Sequence, residues 1–353
     1  MERSDQKTAC QAEMLFNRLT KRQRHLMKWA ARTGTDAFRL YDRDIPEIPL
    51  RIDRYNDAVC GALFERPYDT DADEEARWLM VMTDAVAQAL SIPADRIFLK
   101  IRKRQRGGSQ YSRFVHQNFF VDVHEYGYTF RTNLSDYLDT GLFLDRRKLR
   151  HIIQRDAATV RGGTRTMVLN LFCYTAAFSV YALHAGGAVD VDSVDLSNTY
   201  LDWAKVNCAL NGIRAELLSQ EAVLSALPSV PCSRRLPPCR LIRADALRFI
   251  DEAVRRKRRW DIIILDPPTF SNSKTMRSDF DVNRDHHAII TKCLTLLGPG
   301  GALYFSTNAR RFNLTGAGLP ARYTCRNITE QARDEDFRGK TIPACWVFTD
   351  PSC

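Results

Sequence analysis

Apolar residues recur at helical spacing over residues 13–32, where Leu15, Leu19, Leu26, Trp29 and Ala30 are interleaved with Arg18, Lys21, Arg22, Arg24 and Lys28. The spacing predicts an amphipathic helix with one basic face, stopped near Gly34. Such a helix serves either as a packed cap, the preferred reading, or as a basic arm. Shorter apolar runs follow. Arg51–Tyr55 and Ala58–Leu63 flank Asn56-Asp57, and Phe119–His124 and Tyr128–Thr132 flank Tyr126-Gly127, so two hairpins are expected. Between them, residues 76–90 read as a helix and 96–101 as a strand.

From about residue 133 the rhythm changes. Thr166–Phe172, Val189–Val194, Leu241–Arg243, Asp261–Leu265 and Ala302–Ser306 are short runs rich in Val, Ile and Leu, separated by segments of helical length. That alternation predicts an α/β fold with a doubly wound parallel sheet. The expected organisation is an N-terminal helix over 1–34, a small α+β accessory domain over 35–132 and the doubly wound domain over 133–353. Prolines near 228–238 mark an expected surface insertion at about 214–240.

Open α/β sheets bind ligands beyond the carboxyl ends of their strands, at the point where strand order reverses. The second strand ends in Asp195, followed by Leu196-Ser197; the third is followed by Asp245-Ala246; the fourth by Asp266-Pro267-Pro268-Thr269-Phe270. An Asp fixed at the second strand end can accept hydrogen bonds from both hydroxyls of a ribose. Asp245 can reach an adenine amino group, and it can equally cap the helix that follows. Two prolines end the fourth strand in an extended turn and project Asp266 into the mouth of the sheet, with Phe270 close by to stack on a base. A nicotinamide enzyme would carry Gly-x-Gly-x-x-Gly after the first strand, and Tyr174-Thr175-Ala176-Ala177-Phe178-Ser179 lacks it.

Charge changes the picture of the partner. The 353 residues carry a formal net charge of +10. Basic residues cluster at Lys100, Arg102, Lys103, Arg104 and Arg106, at Arg146–Arg150, and at Arg255–Arg259, which points to a polyanion such as RNA. Gly107-Gly108-Ser109, with Tyr111 and Phe114 nearby, could follow a phosphate backbone and stack bases. Asn308, Arg310 and Arg311, beyond the fifth strand, are further candidate phosphate contacts. The ten cysteines form no Cys-x-x-Cys pair and no zinc spacing, so reduced thiols and no metal are expected. No apolar run reaches the ~20 residues of a bilayer span, and no signal peptide is apparent, so a cytoplasmic location without membrane contact is expected.

Residues 170–178 from Asn170 through Phe172, Tyr174 and Thr175, the run Val194-Asp195-Leu196-Ser197-Asn198, and Asp266-Pro267-Pro268-Thr269-Phe270 resemble class I RNA methyltransferases. The likeness extends to Tyr41-Asp42-Arg43-Asp44-Ile45-Pro46, Gly141-Leu142-Phe143-Leu144-Asp145-Arg146 and Phe280-Asp281-Val282-Asn283-Arg284-Asp285-His286. It is strongest to the RlmK-type 23S rRNA guanosine-N7 methyltransferases, which in some bacteria form the C-terminal half of a fused enzyme. The resemblance implies S-adenosyl-L-methionine as cofactor, 23S rRNA or a large-subunit precursor as substrate, and a separate RlmL-like methyltransferase as a candidate partner. It places Asp195 at the ribose, Asp245 near the adenine, Asp266 at the transfer site, and Phe143, Asp145 and Arg146 against the methionine end. The family usually has Gly where Ala176 stands. The extra methyl is expected to be accommodated by a small shift; weaker cofactor binding is the alternative.

Methylation at a pyrimidine C5 needs a nucleophilic Cys, and none follows the fourth or fifth strand. Guanine N7 has an in-plane lone pair and needs only alignment. An exocyclic amine is the runner-up target, and a non-catalytic ribosome-assembly factor is the alternative from another class. Phe270, Phe312 and Tyr174 are candidates to hold an extruded base. His286 and His287 fit a packed helix face better than a general base.

Overall fold

A computed structural model describes the chain except residues 1, 65–70, 103–116, 160–164, 226–236, 272–278, 311, 315–319 and 351–353. Two compact units emerge. The first comprises Met1–Leu144 with Glu335–Lys340, and the second Asp145–Asp334 with Thr341–Cys353. Among the described residues no helix is long and apolar enough to cross a membrane.

The first unit opens with α1 (Glu2–Thr33), followed by β1 (Ala37–Asp42), β2 (Leu50–Tyr55), β3 (Ala58–Phe64), α2 (Ala72–Leu90), β4 (Ile97–Arg102), β5 (Phe120–Glu125) and β6 (Tyr128–Asn133). The sheet runs β1-β2-β3-β4, and α2 crosses over to make β3 and β4 parallel. The apolar stripe foreseen on α1 is buried: Leu15, Leu19 and Leu26 are fully covered and pack in one core with Trp78, Met82 and Val86 of α2. The β5–β6 turn has positive φ at both Tyr126 (50°) and Gly127 (88°), the backbone twist that a two-residue hairpin needs.

The second unit contains α3 (Arg147–Ala157), β7 (Thr166–Leu171), α4 (Ala177–Leu183), β8 (Val189–Asp195), α5 (Asn198–Leu210), β9 (Ala215–Leu218), α6 (Gln220–Ser225), β10 (Cys239–Arg243), α7 (Ala246–Arg255), β11 (Trp260–Leu265), β12 (Phe270–Ser271), β13 (Phe280–Asp281), α8 (Val282–Thr295), β14 (Leu297–Thr307), β15 (Thr324–Asn327) and β16 (Ala344–Thr349). Eight strands form one sheet in the order β15-β16-β14-β11-β7-β8-β10-β9. The six strands from β14 to β9 are parallel, while β16 and β15 add an antiparallel edge. The sheet is therefore mixed, not purely parallel as the alternation of runs predicted.

Helices α7 and α8 pack on one face and α3 and α4 on the other, so β11 is buried at all six positions and reads as an unbroken apolar run. Beneath the sheet, buried Asp192 accepts from Trp260 Nε1 at 2.7 Å and Arg240 Nε at 2.5 Å, which explains the acids within β8. The expected insertion at 214–240 is in part structural: β9 completes the sheet edge and α6 buries Val223 and Leu224.

Candidate active site

Strand order reverses between β7 and β11, so their carboxyl ends define the crevice. The loop leaving β7 places Phe172, Tyr174 and Ala176 in the left-handed region, at φ 56°, 52° and 61°. Ala176 therefore occupies a conformation that favours glycine, and its methyl is fully buried. The winding turns the Tyr174 N–H onto Asp195 Oδ2 at 2.9 Å, while the Ser197 N–H reaches Asp195 Oδ1 at 2.9 Å. Burial raises the pKa of Asp195 in spite of backbone bonds from Ser197, Tyr174 and Leu196. Three backbone donors leave one of the carboxylate's about four acceptor positions for a further donor. Ser197 also caps α5, accepting from Tyr200 N, and Leu196 is half-buried beside it.

Asp245 Oδ1 accepts from Leu247 N at 2.9 Å and caps α7. Beside it a cavity of about 370 Å³ opens between α7 and α8, lined by Leu247, Phe280, Arg284 and Ile289 among others. Asn170, Thr175 and Ala246 do not face the crevice. Asn170 is buried and donates to Ser179 Oγ at 2.9 Å, the Thr175 carbonyl receives Asn207 Nδ2 at 3.0 Å, and Ala246 is packed in the core. These three support the ligand loops from behind.

The densest polar cluster surrounds Asp266. Arg146, at the N-terminus of α3, forks onto it with Nε–Oδ2 at 3.0 Å and Nη2–Oδ1 at 2.9 Å. Ser306 Oγ donates to Asp266 Oδ1 at 2.7 Å, and Arg146 Nη1 donates to Asn308 Oδ1 at 3.0 Å. Asp145 Oδ1 lies 3.2 Å from the same guanidinium nitrogen. Burial alone would favour a neutral Arg146, but Asp266 and Asp145 outweigh it and raise its pKa, so it is a permanent cation. Pro267 is buried, Pro268 half-buried, and the turn delivers Phe270 to the surface at 49% exposure. Phe143, near the end of the first unit, is exposed.

The other expected residues fall less neatly. Lys100 is buried and gives its ammonium to the Tyr137 carbonyl, so it leaves the set of candidate phosphate contacts. Lys103, Arg104, Arg106 and Arg311, with Tyr111 and Phe114, lie outside the described residues, as does the side chain of Arg102. The run from Arg146 to Arg150 is largely internal: Arg146, Arg147 and Arg150 are buried, Arg147 pairs with Asp334, and Arg150 packs over Phe178 and Tyr181. The run at 255–259 precedes β11 and so sits at the opposite end of the sheet from the crevice. Arg310, just past β14, is exposed. Tyr174 packs on Tyr200, and Phe312 on Phe305 and Trp346. His286 is buried with Nδ1 2.9 Å from the Val282 carbonyl, a packed position. Among the described residues no group of three or more His, Cys, Asp or Glu could hold a metal. Ser306 is missed by the sequence reading, and Asn308 falls in this cluster rather than among the candidate phosphate contacts; their one sequence signal is their place at the end of the fifth strand.

A family profile for S-adenosylmethionine-dependent methyltransferases matches residues 42–253. Ribosomal RNA large subunit methyltransferase K/L of Ectopseudomonas mendocina is 42% identical over 338 residues, covering 96% of this chain and 42% of the relative. The chain thus spans less than half the length of such fused relatives. Ribosomal RNA large subunit methyltransferase K of Neisseria meningitidis serogroup B is 40% identical over 336 residues, covering 95% of this chain and 87% of that one. A solved structure from Streptococcus mutans, described as a SAM-dependent methyltransferase, shares the fold at TM-score 0.66 and 21% identity, covering 96% of this chain and 81% of that one. The chain belongs to the family of S-adenosylmethionine-dependent methyltransferases that includes ribosomal RNA large subunit methyltransferase K.

Proposed function

We propose that the chain methylates N7 of a guanosine in 23S rRNA. The observation that carries the reading is the state of Asp266: both of its oxygens are engaged, by the Arg146 fork and by Ser306. A carboxylate held by a guanidinium fork and a hydroxyl is a fixed hydrogen-bond acceptor. N7 methylation asks for nothing more, because the ring nitrogen has a free lone pair and no proton to lose. An exocyclic amine must in addition shed a proton, a step that N7 methylation does not require. Pyrimidine C5 chemistry is disfavoured further: Cys345, across the ladder from Ser306, is buried, and burial pushes its thiol up to about 12.

The residues fit the cofactor the family implies. Asp195 keeps an acceptor position for a ribose hydroxyl, and Asp245 lines a cavity of about 370 Å³ that could take an adenine. Asp145, with Leu196 and Ser197, would complete that site. When bound, S-adenosylmethionine supplies an electrophilic methyl group. The chain's own contribution is alignment: Asp266 would orient the purine through an N–H of its edge, and exposed Phe270 would stack on the extruded ring. Arg310 would contact RNA phosphate. The Neisseria relative, named for K alone and covered over 87% of its length, supports a separate L-type methyltransferase as partner, in the cytoplasm where rRNA is made.

The test compares two variants. Asp266→Ala should lower methyl transfer at least ~100-fold while S-adenosylmethionine Kd stays within a few-fold. Asp195→Ala should weaken cofactor binding first. Wild-type turnover in Asp266→Ala would overturn the reading.

A further inference from the structure

We infer that Ser306 and Asn308, at the carboxyl end of β14, are positioning residues that lock the Arg146–Asp266 pair into one geometry. The inference rests on the reading that Asp266 orients the substrate base. It starts from a count of donors and lone pairs. Asp266 Oδ1 receives two donors, Arg146 Nη2 at 2.9 Å and Ser306 Oγ at 2.7 Å; Oδ2 receives one, Arg146 Nε at 3.0 Å. A carboxylate oxygen accepts about two hydrogen bonds. Oδ1 is therefore filled and Oδ2 keeps one place, so the carboxylate offers substrate a single acceptor direction.

Ser306 creates that asymmetry. Without its hydroxyl the fork is symmetric about the carboxylate, and a substrate N–H can choose between Oδ1 and Oδ2. Ser306 is itself 2% exposed and belongs to a strand paired on both sides, so its hydroxyl has no freedom to drift. Asn308 acts one bond further back. Arg146 can only donate, so the amide oxygen of Asn308 must face it, and the 3.0 Å contact to Nη1 fixes the rotation of the guanidinium plane. Arg146 comes from the start of α3, Asp266 from the end of β11, and the two anchors from the end of β14. Three separate elements thus converge on one fork, which no short-range pattern in the chain encodes.

The experiment uses Ser306→Ala, Asn308→Ala and Ser306→Thr in the full chain. Initial rates on 23S rRNA lacking the modification, S-adenosylmethionine Kd by calorimetry and the thermal midpoint are measured for each. Because misplacement of about 1 Å costs on the order of 100-fold, loss of one anchor from a retained fork should lower kcat about tenfold with cofactor Kd within twofold. Ser306→Thr keeps the hydroxyl and should restore kcat to within about threefold of wild type. A readout independent of substrate follows the ¹⁵N-labelled arginine Nε–H of Arg146, whose solvent exchange should speed up in both alanine variants. Wild-type kcat and unchanged exchange in the alanine variants would overturn the inference, as would a loss of kcat accompanied by a rise in cofactor Kd and a drop in the thermal midpoint, the pattern of simple destabilisation. If wild-type protein fails to methylate 23S rRNA, the functional reading fails, and the Nε–H exchange still decides whether Ser306 and Asn308 hold the fork.

Discussion

Replacing Arg146 with Met removes the cation at the centre of the strand-end cluster while keeping much of the stem volume. The side chain of Arg146 is 4% exposed and that of Asp266 13%. The variant leaves Asp266 with Ser306 as its one remaining donor, strips Asn308 Oδ1 of its partner and takes the nearest cation from Asp145, whose Oδ1 has no hydrogen-bond partner. Breaking a buried pair from one side costs about 3–5 kcal/mol, because the surviving charge is stranded. Asp266 retains some contact with solvent and can relax toward it, so the lower end, about 3 kcal/mol, is expected. For a unit of roughly 200 residues each kcal/mol moves the midpoint by about 2–4 °C. Differential scanning calorimetry should therefore show the second unit's transition falling by about 6–12 °C. Arg146→Met/Asp266→Asn removes the stranded charge as well and should recover more than half of the loss. A shift under about 2 °C in the single variant, or no recovery in the double, would refute the description of the pair as a buried ionic fork.

Two further outcomes follow from other parts of the chain. Burial raises the pKa of Asp195 from its ordinary value, so protonation sets in at higher pH than for a free Asp. If the ionised form takes the ribose hydroxyls, Kd for S-adenosylmethionine should weaken about tenfold per pH unit below that raised value, and Asp195→Asn should flatten the profile in titration calorimetry; parallel profiles would remove Asp195 from the cofactor site. In β3, a Cβ on Gly61 would stand 2.5 Å from the Arg51 carbonyl oxygen and 2.5 Å from Leu99 Cδ2. The backbone of β2 cannot yield, so Gly61→Ala should cost about 1–3 kcal/mol in the first unit's transition and leave cofactor Kd unchanged; an unaltered midpoint would contradict the register of β2 and β3.

Much of this was legible in the chain because its physics is local. The strands of the doubly wound sheet announce themselves as apolar runs, since β11 and its neighbours are covered on both faces. The strand-end acids are readable for the same reason: a carboxylate directly after such a run has nowhere to go but the crevice. Elements with nothing to bury were not legible. β15 is exposed at all four positions, and β9 is a short edge strand inside a proline-marked stretch that resembles an insertion. Charge was misleading where pairing is remote. Arg147 counts toward a basic run, yet it is fully buried against Asp334, 187 residues away. The Ser306–Asn308 anchors stayed hidden for that reason too, since the fork they hold joins residues 120 and 162 positions apart. At Ala176 the reading posed the right question: the backbone keeps the left-handed turn and takes the methyl into the core.

The measurement that bears most directly on the central claim is nucleoside analysis of 23S rRNA lacking the modification after incubation with the purified chain and methyl-labelled S-adenosylmethionine. The account predicts label in 7-methylguanosine. Label in an N2-methylated guanosine or a C5-methylated pyrimidine would contradict the N7 assignment, and the absence of both label and cofactor binding would contradict the enzyme itself.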